Sequence, residues 1–565
     1  MLHGKKRQAK QELSEEQKKE IEVKLKKILT INQTLLKKRA NKDFDRASLE
    51  QTEKFSSLSP DFQTLWNYRR EIIEHIFNTE YKEMTPENLK AKYEFVFKEL
   101  EFLVKSIMRS PKSYTLWFHR QWIIQKGLEV EQTQVAQQIQ QSLEKKDDEE
   151  NKEPQMQLQE ERRAELLKQL SVSKVLEFEL KLCDKMLGMD ERNFHCWNYR
   201  LLISLQYLQE KESRLSQFDE EARLKIKNQF LEKECQMAET LIKKNFSNFS
   251  AWHYRSKLMP IMYKTVNTDY LIPFDKIQDD LALLKHAFFT DPKDQSPWNY
   301  HEWLISLISP VQIASLTLEK SENGHDLIVL GLSQKVKNFN SLNISLLNDV
   351  GKQVDQYPNV VAKPHNTQRD ISSVWSIELP ENIPSYFSLQ IHQTEESSLK
   401  HIEDTRLLFR DFFVHINLEN KKFELPSSEI WIRDNSLIDN LTKILNADIE
   451  NIKELTDFEK GLRFAVQRLK DLVMLKHEFL ANPFYLTDGS QLDSINNIES
   501  YLEELTSNLI KIDLQSHQAL HNKTLKSWSY VKFKWEKVYE SGSLEWPILK
   551  DRSEIADRHL GYFSC

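Results

Sequence analysis

Two kinds of residue in this sequence could do chemistry by type and spacing: a lysine in a turn, and a series of tryptophans each followed by a cation. Lys112 stands in Pro111-Lys112-Ser113-Tyr114, where a turn would project its ammonium, a compact point charge, toward a phosphate. Type and place alone do not set it above the other members of a pool of 79 Lys and Arg. Trp66, Trp117, Trp197, Trp252 and Trp298 each have an aromatic residue or His two positions on, and Arg69, Arg120, Arg200, Arg255 and His301 three positions on. A cation there lies about one turn further along the same helix face, so it can pair with a carboxylate of the next unit or line the inner surface. The most regular large residue of a repeat usually holds neighbours together, so the tryptophans, and the arginines with them, read as structural.

Motifs for self-contained catalysis do not occur in the sequence. There is no C-x-x-C, H-E-x-x-H, G-x-S-x-G, G-x-x-x-x-G-K-[ST] or G-x-G-x-x-G, and Gly351-Lys352 lacks the upstream glycine of a phosphate loop. The 16 histidines are scattered, and a lone histidine is usually a hydrogen-bonded structural residue; His3 could reach a metal in a partner. Cys183, Cys196, Cys235 and Cys565 have no regular spacing, which reads as reduced thiols in a cytoplasmic protein. Cys565 lacks the three following residues of a prenylation box. No apolar run approaches membrane-spanning length and the N-terminus has no signal-peptide core.

The elements that would position these residues form a repeat. PDFQTLWNYRREII from Pro60, PKSYTLWFHRQWII from Pro111, ERNFHCWNYRLLIS from Glu191, FSNFSAWHYRSKLM from Phe246 and PKDQSPWNYHEWLI from Pro292 align without gaps. Each predicts a helix, a turn just before the Trp, and a second helix capped by the Pro, Asp, Ser or Asn around it. Val96, Leu100, Leu103 and Ile107 mark the apolar face of a first helix, and Leu65, Ile72 and Ile76 that of a second. Such pairs cannot bury their apolar faces alone, so they are expected to stack into a curved α-solenoid over residues 46–310. The Trp intervals are 51, 80, 55 and 46. The long one holds a Gln-, Glu- and Lys-rich insertion at 129–168, expected to be an exposed helix or a loop without a core.

The chain has 565 residues with only 10 Gly and 16 Pro, which suits a mainly α protein of several domain-sized units. Residues 1–50 carry 14 Lys and Arg against 8 Asp and Glu, net +6, leaving −13 on the rest of a chain of net −7. Ser14-x-x-Gln17 is spaced as a capping box and Ile21, Leu25, Ile28 and Leu35 share a side. The 1–45 arm is therefore expected to be an amphipathic helix with a solvated basic face, without nucleic-acid contact. Over 311–425 the period changes to two: Leu316 and Leu318, Leu327 and Val329, Ile344 and Leu346, Trp375 to Leu379, Phe387 to Ile391 and Val414 to Leu418 read as strands, with Asn323-Gly324 as a hairpin turn. About seven strands in this length fit an inserted all-β immunoglobulin-like sandwich. Helical periodicity returns in 426–540 at Leu437, Leu441, Ile444, Phe464, Leu469 and Leu472, before a 541–565 tail.

The five helix pairs around W-x-[YH]-[RH], three of them with Pro six residues before the Trp, resemble the protein prenyltransferase α-subunit repeat. DERNFHCWNYR at 190–200, NFSNFSAWHYRS at 245–256, AFFTDPKDQSPWNYHEWL at 287–304, PDFQTLWNYRRE and the opening MLHGK are similar to the type 2, Rab geranylgeranyl-transferring α subunits. The resemblance covers roughly residues 1–540. In animals these α subunits carry an immunoglobulin-like insert after the fifth repeat, which the farnesyl and type 1 α subunit lacks. The leucine-rich repeats that end the animal forms do not occur here, His301 replaces an Arg, and a sixth repeat would lack its Trp. The resemblance implies a heterodimer with a β subunit, which would hold zinc and the isoprenoid pocket. That dimer would transfer geranylgeranyl from its diphosphate to C-terminal cysteines of Rab GTPases presented by an escort protein. It also implies that Lys112 approaches the diphosphate from the α side, with Tyr114 in the same turn. A non-catalytic α-solenoid scaffold and a farnesyltransferase α subunit are the alternatives.

Overall fold

A computed structural model describes residues 14–147, 173–214, 220–263, 272–321, 323–347, 360–365, 371–381, 383–392, 399–400, 406–407, 412–420, 422–424, 436–459 and 462–481. His3, residues 148–168 of the insertion and the 541–565 tail lie outside them. The chain divides into two compact units, residues 1–255 and 256–565.

Helices α1 (Glu15–Ala40), α2 (Arg46–Leu58), α3 (Gln63–Thr79), α4 (Pro86–Arg109), α5 (Tyr114–Asp147), α6 (Lys174–Met189), α7 (Phe194–Arg214), α8 (Glu220–Lys244) and α9 (Phe249–Tyr263) come first. They are followed by α10 (Phe274–Thr290) and α11 (Gln295–Ile308). From α2 onward they pair as the repeat predicts, and in each of the five pairs four residues separate the first helix from the second. Each turn closes with the same bond three residues long, as in Ser113 N–H to the Ser110 carbonyl at 3.2 Å and Asn193 N–H to the Asp190 carbonyl at 3.1 Å.

This constant turn sets a register between the two helices of a pair. The residue two after the Trp meets the residue twenty earlier: His119 Nε2 lies 2.9 Å from Glu99, and the hydroxyls of Tyr199, Tyr254 and Tyr300 donate to Glu179, Glu234 and Asp280 at 2.6, 2.5 and 2.5 Å. The residue three after the Trp does two things. Its Nη1 donates to a carbonyl twenty residues earlier, Arg69 to Leu49 at 2.8 Å, Arg120 to Leu100 at 3.0 Å, Arg200 to Leu180 at 3.4 Å and Arg255 to Cys235 at 3.3 Å. Its other nitrogens reach the buried acid of the next pair. Arg69 forks onto Glu99 at 2.6 and 2.6 Å, Arg120 onto Glu179 at 2.7 and 2.6 Å, and Arg200 onto Glu234 at 2.7 and 2.8 Å. A planar fork matches a carboxylate with two parallel bonds, which fixes orientation as well as distance. The first pair has Ser48 in place of the acid, and there the Tyr68 hydroxyl donates to the Asp43 carbonyl at 2.6 Å.

After α11 come β1 (Ile313–Lys320), β2 (Asp326–Lys337), β3 (Asn343–Leu347), β4 (Ala362–Pro364), β5 (Ile371–Glu378), β6 (Tyr386–His392), β7 (Leu399–Lys400), β8 (Arg406–Leu407), β9 (Phe412–Asn417) and β10 (Lys422–Glu424). They form two antiparallel sheets, β4-β5-β2-β7-β8 with β1 also on β2, and β10-β9-β6-β3. The predicted inward residues, among them Leu316, Ile344, Trp375, Ile377, Phe387, Leu389, Ile391, Val414 and Ile416, fill one core. The hairpin at Asn323-Gly324 joins β1 to β2, with Gly324 at φ +86°, a backbone that glycine adopts without strain. The period-two reading missed β4, β7, β8 and β10, which have only two or three residues each.

Helices α12 (Ser436–Phe458) and α13 (Arg463–Ala481) pack as a sixth pair. Eighteen residues after Asp448 stands Val466, which takes the place of the Trp: its N–H bonds to the Leu462 carbonyl at 3.0 Å, as Trp197 N–H does to Asn193 at 3.2 Å. His301 Nε2 lies 2.6 Å from Asp448 Oδ2, so His stands in the Arg position at this junction, while Arg468, two residues after Val466, pairs with Glu302.

Two expectations are corrected. Only Leu35 of the α1 apolar side is fully buried, while Ile21 and Leu25 are 41% and 53% exposed. At 1.5 Å per residue α1 is about 39 Å long and α2 about 20 Å, so the N-terminal half of α1 extends past the end of its neighbour. The start of the 129–168 insertion is also packed: α5 runs on to Asp147, Val130 is buried, Glu131 accepts from the Tyr93 hydroxyl at 2.7 Å, and the Gln137 amide donates to the Met84 carbonyl at 2.6 Å.

Burial alone would raise the Glu99 carboxyl, but the charge of Arg69 and bonds from Arg69 and His119 outweigh it and hold the group at about 2 against an ordinary 4.5. A depressed carboxylate stabilises the fold fully above pH 4.5 and loses that contribution as pH falls to about 2, here on the order of 3 kcal/mol. Glu99→Gln should therefore flatten the stability profile in that window, and at pH 7 it should cost about 3–5 kcal/mol by leaving Arg69 buried without its carboxylate. Urea midpoints across pH 2 to 7 would test both expectations.

Candidate functional site at the repeat turns

The turns are tied to their own helices by the tryptophans. Each indole N–H donates to the carbonyl six residues earlier: Trp66 to Pro60 at 2.7 Å, Trp117 to Pro111 at 2.9 Å, Trp197 to Glu191 at 2.8 Å, Trp252 to Phe246 at 2.9 Å and Trp298 to Pro292 at 3.0 Å. The rings are buried. Three of those carbonyls accept a second bond from the following turn: Pro60 from the Thr115 hydroxyl, Pro111 from the Asn193 amide at 3.2 Å and Glu191 from the Asn248 amide at 2.8 Å. Asn193 and Asn248 also cap their helices, Asn193 Oδ1 accepting from the N–H of His195 at 3.1 Å and Asn248 Oδ1 from that of Ala251 at 3.2 Å.

Lys112 lies half-buried in the second turn. Its carbonyl accepts a bond from the His195 ring, and that ring stands 4.3 Å from the ring of Tyr114 at 86° and 3.9 Å from that of Phe194. His195 is buried while Tyr114 is 69% exposed. Burial pushes the His195 imidazole below its ordinary value; the bond to the Lys112 carbonyl pulls it up, and the Lys112 charge pushes it down again. With one N–H committed to that carbonyl, the neutral ring has no second proton to donate. The lysine, the tyrosine and this histidine are thus brought together.

Exposed apolar side chains recur at the repeat turns. Tyr114, Phe194 and Phe249 occupy the same position in successive repeats and are all exposed, as are Leu58, Met108 and Met189 at the ends of the first helices. Phe118, one turn beyond Tyr114, is exposed under the Arg70 guanidinium, whose carbon lies 5.0 Å from the ring centre. The five tryptophans and Arg69, Arg120, Arg200 and Arg255 are not part of this surface; they are buried within and between helix pairs. Among the described residues no three His, Cys, Asp or Glu gather as a metal site.

Sequence reasoning missed His195, although it lies in the aligned block two residues before its Trp. It also missed the buried acids. Counting back eighteen residues from Trp117, Trp197, Trp252 and Trp298 reaches Glu99, Glu179, Glu234 and Asp280, a regularity plain in the sequence once the turn length is known.

The protein prenyltransferase α-subunit repeat family matches residues 96–127, 176–207, 231–262 and 277–308, the segments that hold these acids, turns, tryptophans and arginines. Four of the helix pairs, α4–α5, α6–α7, α8–α9 and α10–α11, are thus similar to protein prenyltransferase α-subunit repeats. The Trp66 pair and the α12–α13 pair share the repeat's geometry outside the matched segments. Over 542 residues the chain is 27% identical to the human geranylgeranyl transferase type-2 subunit alpha, spanning 92% of this chain and 79% of that protein. It is 26% identical over 344 residues to the Candida albicans protein of that name, covering 54% of this chain and 73% of the relative. The Dictyostelium discoideum protein of that name is 31% identical over 276 residues, 49% of this chain and 65% of the relative. No described helix is long and apolar enough to cross a membrane.

The charge of Lys112 should bear on the titration of the His195 ring. Lys112→Ala removes a positive charge that opposes protonation of His195, so the His195 midpoint should rise toward the ordinary 6.5 from its lowered position. Histidine-selective NMR of the parent and variant across pH 5 to 8 would measure it. A midpoint that stays in place would show that the two side chains do not share a field.

Proposed function

We propose that this chain is the α subunit of a heterodimeric Rab geranylgeranyltransferase. In this reading a β subunit completes the site, geranylgeranyl diphosphate lies between the subunits, and the acceptors are C-terminal cysteines of Rab GTPases presented by an escort protein in the cytoplasm. The relatives' name supports the class of reaction. The observation that supports the site is the half-buried lysine held at a turn beside His195 and Tyr114, which suits one wall of a site shared with a partner. In this reading zinc belongs to the β subunit, as the family resemblance implies.

In the transfer, the carbon–oxygen bond to the diphosphate breaks as a cysteine sulfur supplies the electron pair for the new carbon–sulfur bond, and the diphosphate leaves with the charge. Lys112 would meet that growing charge and stabilise the transition state more than the bound substrate. Tyr114 would offer its hydroxyl from the same turn. His195, neutral near pH 7 and with its N–H spent on the Lys112 carbonyl, would contribute placement rather than charge.

Pull-down of the full chain followed by mass spectrometry should recover a β subunit, and transfer should require it. Transfer by the purified chain alone would sink the proposal, and recovery of unrelated clients alone would favour a scaffold. In the assembled pair Lys112→Ala should slow single-turnover transfer by roughly 30- to 1,000-fold, about 2–4 kcal/mol, with melting temperature and co-elution unchanged. A rate within twofold of the parent would return Lys112 to the ordinary surface lysines.

A further inference from the structure

We propose that Asn193 is a positioning residue for Lys112: its amide holds the peptide in front of the lysine while its oxygen caps the helix that carries His195. The inference rests on the reading of Lys112 as the diphosphate contact.

The direction of a side chain from its Cα is set by the two peptide planes that flank it, since those planes are rigid and only the rotations between them are soft. For Lys112 both planes are held from the next repeat. The Pro111 carbonyl accepts from the Asn193 amide at 3.2 Å as well as from Trp117 at 2.9 Å, and the Lys112 carbonyl accepts from the His195 ring. The two holds have a common anchor. Asn193 Oδ1 accepts from the backbone N–H of His195 at 3.1 Å and of Cys196 at 3.4 Å, so the side chain that grips the first plane also seats the residue that grips the second. Asn193 is buried, out of reach of a ligand, and acts only through these bonds.

One repeat further on, Asn248 makes the same pair of bonds, to the Glu191 carbonyl at 2.8 Å and from the Ala251 N–H at 3.2 Å. The gripped turn there carries Arg192 in place of Lys112, and Ser250 stands where His195 does. The stacking role of this asparagine is therefore present at both junctions, and the lysine and the histidine at one. Asn248 is the matched control.

The substitution that separates the two roles is Asn→Asp. An aspartate keeps the acceptor that caps the helix but turns the donor into an oxygen facing a carbonyl oxygen, so the tether is lost and the cap is not. In the αβ complex, Asn193→Asp should lower the single-turnover rate by about 10- to 100-fold with the KM for geranylgeranyl diphosphate within about twofold, as a displaced catalytic group does. Asn248→Asp should shift the melting temperature by a similar amount and leave the rate within about twofold. The His195 titration should move in Asn193→Asp and stay in place in Asn248→Asp. Equal rate losses in the two variants, or a His195 midpoint unmoved by Asn193→Asp, would overturn the positioning role. A Lys112→Ala complex as fast as the parent would instead fail the reading of Lys112, a result that neither asparagine variant can mimic.

Discussion

The helix pairs depend on one interaction, a buried carboxylate that must be fully satisfied. Glu99, Glu179 and Glu234 lie in the interior where an unpaired charge would be costly, so each demands a planar cation from the preceding pair and a hydroxyl or imidazole from its own second helix. Those partners sit on two different helices, the cation three residues after the Trp of the preceding pair and the hydroxyl or imidazole two residues after the Trp of the acid's own pair. The acid can be satisfied only if the turn is four residues long and the neighbouring pair is seated at one height. Hydrophobic stacking would tolerate slippage between pairs; the bidentate fork does not. Specific height is what lets turns from successive repeats meet, and the carbonyl-to-amide bonds between turns exist because of it.

This explains the division of labour among the repeated residues. The Trp ties turn to helix, the Arg ties pair to pair, and neither is on the exposed turn surface. The residues free to vary are those just after the turn carbonyl, where Asp61, Lys112, Arg192, Ser247 and Lys293 occupy equivalent places. A structurally constant frame thus presents a different side chain at each step, and one of these steps is the Lys112 turn.

Much of this was legible in the residues. The aligned blocks around the tryptophans give the helix pairs, and the switch to period two gives the sandwich, because both rest on local apolar patterning. The acids were harder to see. They are single charged residues inside otherwise apolar helices, and they gain meaning only when the twenty-residue register across the turn is known, a tertiary quantity. His195 was hidden for a related reason, since its ring meets Lys112 across a junction that an 80-residue Trp interval separates in the chain. The apolar side of α1 shows the opposite error: the pattern is present, but the length of the neighbouring helix decides how much of it is covered.

The His301–Asp448 contact joins residues 147 positions apart. Glu99, Glu179 and Glu234 are each met by a cation no more than 59 positions away. Loop closure over such a span is slow in comparison with stacking of adjacent pairs, and during synthesis it must wait until the sandwich and α12 have left the ribosome. The fifth pair therefore spends part of its early life with an uncovered end, bearing His301 and the apolar side chains beside it. A chain that stalls within the sandwich would present that end to chaperones or to other nascent copies, so the insertion makes the late order of assembly a property of the fold.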